Sequence, residues 1–313
     1  MDLSVIVCTY NRCYNLPDCF AALERQQGVS SLAWEVVLVD NCSTDGTRSL
    51  VEESLRRTSM KLRYTFCGEQ GLSYARNHGI EVAEGQRLVF IDDDIRVSPG
   101  WLKAIYATFT EYDCDAVGGR IHLDIPLEQL PPWIRPDMYG FLGYQDFGEK
   151  PYQLDGLREF PFGGNMAIHR RVFERIGKFD PELGRKGAGT RKDELFKGEE
   201  TEFFHRLAAS GGVIWYQPLA LVYHKVLPHQ LKRRFFLTLH HNAGILKARR
   251  DRAVYPRTIA GVPRFLYLQW FRAVWRYLQQ TLRQGPNYAF RQLMNVAYFT
   301  GMIQEYYRRA KLP

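Results

Sequence analysis

The sequence predicts an α/β fold, with a doubly wound, mostly parallel, Rossmann-like sheet and a helical, basic-aromatic extension at the C-terminus. Three observations indicate this. Short apolar runs alternate with amphipathic stretches over residues 3–94, which is the order that β-α-β units produce. Polar residues follow directly after those runs, at the strand ends where doubly wound sheets bind their ligands. From residue 226 the composition changes to basic and aromatic.

The elements follow one another in a regular order. Four apolar, β-rich runs predict the first strands: residues 3–8, 34–39, 61–66 and 87–91. The stretches between them predict three helices: residues 17–27, a segment from a cap at Thr44 or Asp45 to residue 57, and residues 71–83. After a stretch of weak periodicity, we expect a helix over 199–209 and a strand near 213–223. We therefore divide the chain into a domain over 1–225 and an extension over 226–313.

The formal net charge of +8 is concentrated near the C-terminus. Residues 231–313 contain 16 Lys and Arg but only Asp251 and Glu305, so this segment carries +14 and the remainder −6. A basic segment of this kind suits a polyanion, either nucleic acid or an anionic membrane.

Composition also indicates the compartment. No run of ~18 uncharged apolar residues occurs, so no transmembrane helix is predicted. The N-terminus lacks the basic region and the cleavage site of a signal peptide. All six cysteines lie in the first 114 residues without a CxxC pair, which favours reduced thiols over a zinc site. We expect a cytoplasmic protein.

Three familiar signatures are missing from the sequence: GxxxxGK[ST], GxGxxG and GxSxG. A P-loop ATPase, a dinucleotide-dependent oxidoreductase and an α/β-hydrolase therefore lose their main support.

The acidic triplet Asp92-Asp93-Asp94 ends the fourth predicted strand. Three acids in one place repel one another, so the triplet is either a solvated acidic turn or a site for a hard divalent cation such as Mg²⁺ or Mn²⁺. His224 ends the last predicted strand. It is either structural or, if a carboxylate-bound metal lies nearby, a further ligand.

Two glutamates begin the helix over 199–209. Glu200 is three and four residues before Phe203 and Phe204, so it is expected on their apolar face, with Glu199 rotated away toward Glu202. A carboxylate in that place is either a general base in a cleft or an acid that complements the helix dipole.

Eight stretches taken together resemble the family 2 glycosyltransferases, over roughly residues 3–225. They are VIVCTYNR, VVLVDNCSTDGT, GLSYARNHGI, FIDDD, FGGNMAIHR, GKFDPEL, GEETEFFHRL and the downstream His224. The resemblance implies a glycosyltransferase A-type fold and an inverting transfer from a nucleotide sugar. It also makes 1–225 the nucleotide-sugar-binding catalytic domain.

The resemblance assigns roles to residues of this chain. It places the nucleotide base, usually uracil, on Thr9, Tyr10 and Asp40, with Arg76 near the nucleotide. The outer acids of the DxD motif are Asp92, toward the ribose, and Asp94, on the metal, with His224 as a further metal ligand. The remaining predicted substrate-binding residues are Asn11, Arg12, Asp93, Gly164, Asn165 and Glu199, and Gly163 belongs to the same loop as Gly164.

Glu200 matches the position of the catalytic base. The family usually has GED where this chain has GEE, so the longer glutamate leaves Glu199 open as an alternative base. The implied cofactor is Mn²⁺ or Mg²⁺, and the implied partners are a nucleotide-diphosphate sugar, UDP-linked by expectation, and a glycan or lipid-linked acceptor. The sugar, the acceptor and the oligomeric state stay undetermined.

Two other functions remain as alternatives. A sugar nucleotidyltransferase also uses a nucleotide, a metal and an α/β sheet, but its first loop would be rich in glycine, whereas TYNRCYN has none. A non-enzymatic protein would bind a polyanion through residues 231–313.

The extension contains a stretch typical of a helix lying on a membrane. In residues 265–282, Phe265, Leu268, Phe271, Trp275 and Leu278 recur at spacings of three and four, among arginines. A second stretch, 288–307, is similar but weaker. We expect peripheral attachment to the inner membrane face, with no nucleic-acid partner; the alternative is packing on the protein itself. The regions 130–144 and 184–198 are expected to form the acceptor wall.

Overall fold

A computed structural model describes residues 1–187 and 194–311. Within these residues, nine strands form one mixed sheet in the order β3-β2-β1-β4-β8-β6-β9-β5, with β7 paired to β9. The strands are β1 (Leu3–Thr9), β2 (Trp34–Asp40), β3 (Leu62–Phe66), β4 (Arg87–Asp92), β5 (Ile95–Val97), β6 (Ala116–Leu123), β7 (Tyr152–Leu154), β8 (Met166–His169) and β9 (Ile214–His224).

The helices alternate with the strands in the first part of the chain. They are α1 (Leu16–Glu24), α2 (Thr47–Arg57), α3 (Leu72–Val82), α4 (Trp101–Tyr112), α5 (Arg170–Ile176), α6 (Glu199–Ala209), α7 (Arg233–Arg250) and α8 (Arg264–Ala310). The predicted strands and helices are confirmed. Seven elements that the sequence analysis did not name are α4, α5, α7, β5, β6, β7 and β8.

The predicted α/β class is confirmed, and the parallel arrangement holds for part of the sheet. Strands β3, β2, β1 and β4 are parallel neighbours, and so are β6 and β9. The pairs β4–β8, β6–β8, β5–β9 and β7–β9 are antiparallel. The first two of these pairs arise because β8, only four residues long, inserts between β4 and β6 in the opposite direction, and the other two because the short strands β5 and β7 run antiparallel to β9.

Strand β1 explains why helices cover both faces of the sheet. All seven of its residues are buried, and successive side chains point to opposite faces. Val5 and Val7 pack in a cluster with residues of α1 and α4, whereas Ile6 packs with residues of α3, α5 and α6. A strand buried on both faces has a nearly continuous apolar sequence, as LSVIVC illustrates.

The chain divides into two compact units. The first is built mainly from Met1–Pro126, from the segment that begins at Gly143, and from Gly198–Lys225. The second begins at Val226, the position at which the composition changes, but it also takes in Leu127–Leu142. The 3₁₀ helix Pro136–Leu142 therefore belongs with the C-terminal helices rather than with the rest of the region assigned to 1–225.

Within the second unit, α7 and α8 approach each other at two glycines. A Cβ atom on Gly244 would lie 2.0 Å from the carbonyl oxygen of Tyr298, and one on Gly301 would lie 2.1 Å from that of His241. Because no side chain fits there, the two backbones pack directly together. Helix α8 is interrupted at Gly285, whose φ of 84° is left-handed. Within residues 1–187 and 194–311, no helix combines the length and the apolar character needed to cross a bilayer.

Candidate active site

The carboxyl ends of β1, β2 and β4 bring the first group of predicted site residues together. In the parallel register Thr9 lies opposite Asp40, and Cys8 lies opposite Asp92. The loops that follow these strands therefore open at one edge of the sheet, which is where ligands of doubly wound sheets bind.

Asn11 joins the loop after β1 to the loop after β2. Its side-chain oxygen accepts hydrogen bonds from the backbone N–H groups of Thr44 (2.7 Å) and Asp45 (3.2 Å). Its φ of 51° is left-handed, a conformation that asparagine tolerates better than most residues. Asn11 thus shapes the site, and the neighbouring Tyr10 remains half-buried beside Thr9.

Asp40 is held at the end of β2 by two donors. The Tyr64 hydroxyl donates to Asp40 Oδ2 at 2.9 Å, and the Ser43 backbone N–H donates to Oδ1 at 2.9 Å. A carboxylate offers about four acceptor sites, so two remain for a ligand. The sequence analysis missed Tyr64, because a tyrosine on a half-buried strand carries no signal of its own.

Asp93, the middle acid, is directed into the protein. Its carboxylate accepts hydrogen bonds from Thr9 Oγ1 (2.7 Å), Asn15 Nδ2 (3.3 Å) and Arg12 (3.4 Å). Burial raises the pKa of Asp93 to about 7, and the neighbouring Asp94 adds to this while Arg12 opposes it. With its acceptors used by the protein, Asp93 ties the loop after β1 to the strand end.

Asp94 and His224 face each other. Asp94 Oδ2 accepts from Arg12 at 3.2 Å, whereas Asp94 Oδ1 lies 3.5 Å from His224 Nε2. Within the described residues, Asp94 Oδ1 and His224 Nδ1 are buried and have no hydrogen-bond partner. Gly143 leaves room for the imidazole, since a Cβ there would lie 3.0 Å from His224 Nδ1. A carboxylate oxygen and an imidazole in this arrangement fit a hard divalent cation.

The third predicted metal ligand, Asp92, is not in this pair. Asp92 Oδ1 lies 3.5 Å from Arg76 Nη2 instead. Across residues 1–187 and 194–311, no three His, Cys, Asp or Glu side chains are grouped so as to hold a metal. Of the three predicted metal ligands, the structure thus brings Asp94 and His224 together and places Asp92 beside Arg76.

Arg76 connects α3, β4 and α6. It is only 2% exposed, and Arg76 Nη1 donates to Glu199 Oε1 at 2.9 Å. Its guanidinium also lies over the Phe179 ring, 5.7 Å from the centroid. A Cβ on Gly163 would come within 2.3 Å of Arg76 Nη2, so this position needs glycine for Arg76 to fit.

The expected orientation of Glu199 is wrong. Glu199 is 4% exposed and paired with Arg76, rather than rotated away toward Glu202. The reason is that Glu199 lies one helical turn before the fully buried Phe203, so it shares the core-facing side of α6. Although burial works to raise the pKa of Glu199, the charge of Arg76 prevails and lowers it.

Glu200 has the opposite electrostatics. Burial raises its pKa to about 8, and the adjacent Glu199 carboxylate adds to the effect. Among the residues that the structure describes, Glu200 Oε2 is buried without a hydrogen-bond partner. Two consecutive glutamates thus differ: one is an ion-paired anion, and the other is a basic carboxylate with a free oxygen.

Asn165 has a structural environment that the sequence analysis did not foresee. It is fully buried; its Oδ1 accepts from Trp101 Nε1 at 2.8 Å, and its Nδ2 donates to the carbonyls of Arg120 (2.9 Å) and Ala220 (2.8 Å). These contacts tie together α4, β6 and β9, so the protein itself uses both the oxygen and the nitrogen of the Asn165 side chain. A Cβ on Gly164 would lie 3.8 Å from Asp92 Oδ2, so Gly164 runs beside that carboxylate.

A solvent-open pocket with about 360 Å³ of empty volume adjoins Asp94. Asp18, Asp93 and Asp124 also line it, together with Lys225, which donates to Asn15 Oδ1 at 3.2 Å. Asp124 comes directly after β6, so the strand-end rule would have found it had β6 been recognised.

Part of the expected acceptor wall is core instead. Trp133 is buried, and its ring packs edge-on against Phe236 and Phe290, while Phe141 packs against His240. These aromatics form the interior of the second unit. In the other predicted segment, 184–198, residues 188–193 lie outside the described residues.

Comparison with known proteins identifies the family. The family model for glycosyl transferase family 2 matches residues 4–177, more than half of the chain. The chain belongs to glycosyl transferase family 2. It is 26% identical over 238 residues to a glucosyl-dolichyl phosphate glucuronosyltransferase of Haloferax volcanii, which covers 74% of this chain and 71% of that protein.

Solved structures of glycosyltransferases share the fold. The crystal structure of Staphylococcus aureus TarS 1–349 in complex with UDP covers 99% of this chain and 92% of its own, with a TM-score of 0.56 at 19% identity. The mannosyltransferase PcManGT from Pyrobaculum calidifontis, in complex with GDP-Man and Mn²⁺, covers 96% and 85%, with a TM-score of 0.59 at 18% identity. The expected family, the glycosyltransferase A-type fold and a glycosyltransferase activity are thereby confirmed.

Proposed function

We propose that this family 2 glycosyltransferase moves a sugar from a UDP-sugar to a hydroxyl group of a glycan or lipid-linked acceptor, with inversion and with a divalent metal. The observation that carries the proposal is the contrast between Glu199 and Glu200. Only one of the two, Glu200, combines a raised pKa with a free buried oxygen, as a general base requires.

The nucleotide is assigned to the ends of β1 and β2. The free acceptor sites of the Asp40 carboxylate suit the ring N–H of uracil, and Thr9 and Tyr10 lie beside it. The TarS structure contains UDP, which supports a uridine nucleotide. The mannosyltransferase structure contains GDP-Man, so the identity of the nucleotide base is the part of the proposal that most needs a direct test.

A divalent cation fits Asp94 and His224. Asp94 Oδ1 lies 3.5 Å from His224 Nε2, and the buried Asp94 oxygen has no hydrogen-bond partner in the described part of the chain. When bound, Mn²⁺ or Mg²⁺ supplies charge neutralisation for the departing diphosphate. The mannosyltransferase structure with Mn²⁺ supports the presence of a metal. Asp92 is assigned to the ribose side, where Arg76 holds its carboxylate.

The transfer itself requires one base. The acceptor hydroxyl gives its proton to the Glu200 carboxylate as its oxygen forms a bond to the anomeric carbon. The bond from that carbon to the diphosphate oxygen breaks on the opposite side, and its electron pair leaves with the nucleotide. A single displacement inverts the configuration, so an α-linked donor gives a β-linked product. Arg76 holds Glu199 and Asp92, which keeps the strand end and the start of α6 in register.

Of the two proposed acceptor classes we favour the lipid-linked one, and we assign the enzyme to the cytoplasmic face of a membrane. The relative from Haloferax volcanii is named for a dolichyl phosphate substrate, which supports a lipid-linked acceptor. The basic, aromatic C-terminal extension supports a location at an anionic surface.

A panel of nucleotide sugars tests the proposal. We expect one UDP-sugar with Mn²⁺ to raise the melting temperature more than GDP-, ADP- and TDP-sugars do, and EDTA to remove the shift. The matched variants are Asp94→Asn, which should lose the metal-dependent part of the shift, and Asp113→Asn, an exposed acid outside the site, which should keep it. A shift of equal size in the Asp94→Asn protein, or the same shift for every nucleotide, contradicts the proposal.

A further inference from the structure

The first part of α8, before Gly285, carries an unusual exposed apolar surface. Five large side chains on it are between 48% and 89% exposed: Leu268, Phe271, Trp275, Leu278 and Leu282. At about 100° per residue they fall within an arc of about 80° on one side of the helix. We call these five residues the α8 apolar face. A contiguous apolar strip of this length marks an interaction surface rather than scattered exposed residues.

Arginines lie along one flank of this face. Arg272, Arg276 and Arg283 are exposed and project within an arc of about 40° next to it. The sequence contains no Asp or Glu between Asp251 and Glu305, so no acid in this part of the helix neutralises them. An apolar strip with a cationic flank that contains no acid complements a surface that is apolar inside and anionic outside.

The second stretch of α8 behaves differently. In the part after Gly285, the residues buried on the inner side include Ala289, Phe290, Met294 and Met302. Phe290 packs edge-on against Phe236 of α7, and a Cβ on Gly301 would meet the α7 backbone. The two amphipathic stretches expected from the sequence therefore have separate uses: the second packs against α7, and the first leaves its apolar side to solvent.

We infer that the α8 apolar face is the surface through which this protein binds an anionic lipid bilayer, with the helix lying in the plane of the interface. The segment 264–284 is about 31 Å long, but its arginines prevent it from spanning. Lying flat, it would place the aromatic rings at headgroup depth and its arginines among the lipid phosphates. The inference deepens the proposed membrane location, and it does not depend on which sugar is transferred.

A second copy of the chain fits the α8 apolar face less well than an anionic bilayer does. Two such faces packed together would bring the arginine flanks near each other, and neither helix has an acid between residues 252 and 304 to compensate. Like charges in contact cost free energy, whereas lipid phosphates remove that cost.

Vesicle co-sedimentation of the full-length protein tests the inference. The probes are vesicles of phosphatidylcholine alone and of phosphatidylcholine with about 30% phosphatidylglycerol. Each is used at low salt, where the Debye length is about 10 Å, and at high salt, where it is about 3 Å. We expect strong binding to the anionic vesicles, weakened by salt. Phe271→Ser/Trp275→Ser/Leu278→Ser should lower the partition coefficient by more than ~10-fold, since three large apolar groups no longer enter the interface.

Matched variants separate the face from general charge and hydrophobicity. Arg272→Glu/Arg276→Glu should weaken binding by at least ~25-fold, at roughly five-fold for each arginine removed. Arg252→Glu/Arg257→Glu makes the same charge change at exposed positions outside α8 and should weaken vesicle binding much less. Tyr307→Ser changes a 42% exposed side chain elsewhere on α8 and should leave vesicle binding unchanged.

Three outcomes overturn the inference. The wild-type protein does not bind anionic vesicles; or it binds them equally well with the three apolar residues replaced; or ultracentrifugation shows a dimer that the triple variant abolishes, with no vesicle binding. Melting temperatures equal to wild type exclude misfolding as the cause of a loss. Unchanged nucleotide-sugar binding in the same variants separates failure here from failure of the proposed function.

Discussion

Exchanging each of the two adjacent glutamates for glutamine should have opposite consequences. Glu200→Gln removes a carboxylate that burial and Glu199 make unfavourable as an anion, and replaces it with a neutral group of the same shape. Glu199→Gln removes the partner of the buried Arg76 and leaves that cation with Asp92 alone, 3.5 Å away. Both positions are in the first turn of α6, so the change in interaction with the helix dipole is common to both.

The magnitudes follow from the pKa of Glu200 and from the burial of Arg76. A carboxyl whose pKa rises from 4.5 in the unfolded chain to about 8 when folded costs stability as the pH rises from 4.5 to 8. At 1.36 kcal/mol per pH unit, the cost reaches roughly 3 kcal/mol at pH 7 and roughly 5 kcal/mol above pH 8. Glu200→Gln should therefore be more stable than wild type at pH 8, with the difference vanishing near pH 4.5. Removing one partner of a buried ion pair costs about 3–5 kcal/mol, so Glu199→Gln should be less stable.

The assay pairs urea unfolding at pH 5 and pH 8 with turnover of the UDP-sugar. Glu200→Gln should lose ~10²–10⁴ in rate, the range for removal of a general base, while it keeps donor affinity. Glu199→Gln should lose stability first, and activity only in proportion to the folded fraction. If Glu199→Gln is the inactive protein and Glu200→Gln remains active, the assignment of the base is refuted. If Glu200→Gln is less stable than wild type at pH 8, the electrostatic argument is refuted.

Three further predictions concern the same edge of the sheet. Asp94→Ala should weaken UDP binding in Mn²⁺ by at least ~10-fold in calorimetry and leave metal-free UDP binding unchanged; equal losses with and without metal would exclude Asp94 as a ligand. The kcat/KM of the wild-type enzyme should rise with pH up to about 8, because a base with a raised pKa becomes active only when it loses its proton, and a profile that is flat from pH 6 to 9 would argue against Glu200. Gly163→Ala should cost about 1–3 kcal/mol in urea unfolding because its Cβ would meet Arg76 at 2.3 Å, whereas Gly164→Ala, with 3.5 Å to its nearest neighbour, should cost less; equal costs would contradict the packing described around Arg76.

The sequence was sufficient for the elements that carry a strong periodic signal. The runs around β1, β2 and β4 are apolar on both faces, and polar residues follow each of them, so the strand ends and Asp40, Asp92 and Asp94 could be placed at one edge of the sheet. The same rule would have found Asp124, but β6 contains two glycines, and its last four residues alternate half-buried Arg120 and His122 with buried residues, so its apolar run is weak.

Side-chain orientation could not be predicted in the same way. Position in the first turn of α6 gave the wrong orientation for Glu199, because that orientation depends on Arg76, which is 123 residues away in sequence. Asn165 illustrates the same limit: its three partners come from α4, β6 and β9, none adjacent to it in sequence. Long-range contacts of this kind decide the pKa and the accessibility of a group, and they leave no local pattern.

The configuration of the sugar released by slow donor hydrolysis tests the central claim most directly. Water can replace the acceptor, so the measurement needs only the α-linked UDP-sugar that gives the largest thermal shift, Mn²⁺ and the enzyme. Proton NMR in the first minutes, before mutarotation, should show the β-anomer of the free sugar, and Glu200→Gln should abolish its formation. Initial release of the α-anomer, or an undiminished rate in Glu200→Gln, would contradict a single displacement with Glu200 as the base.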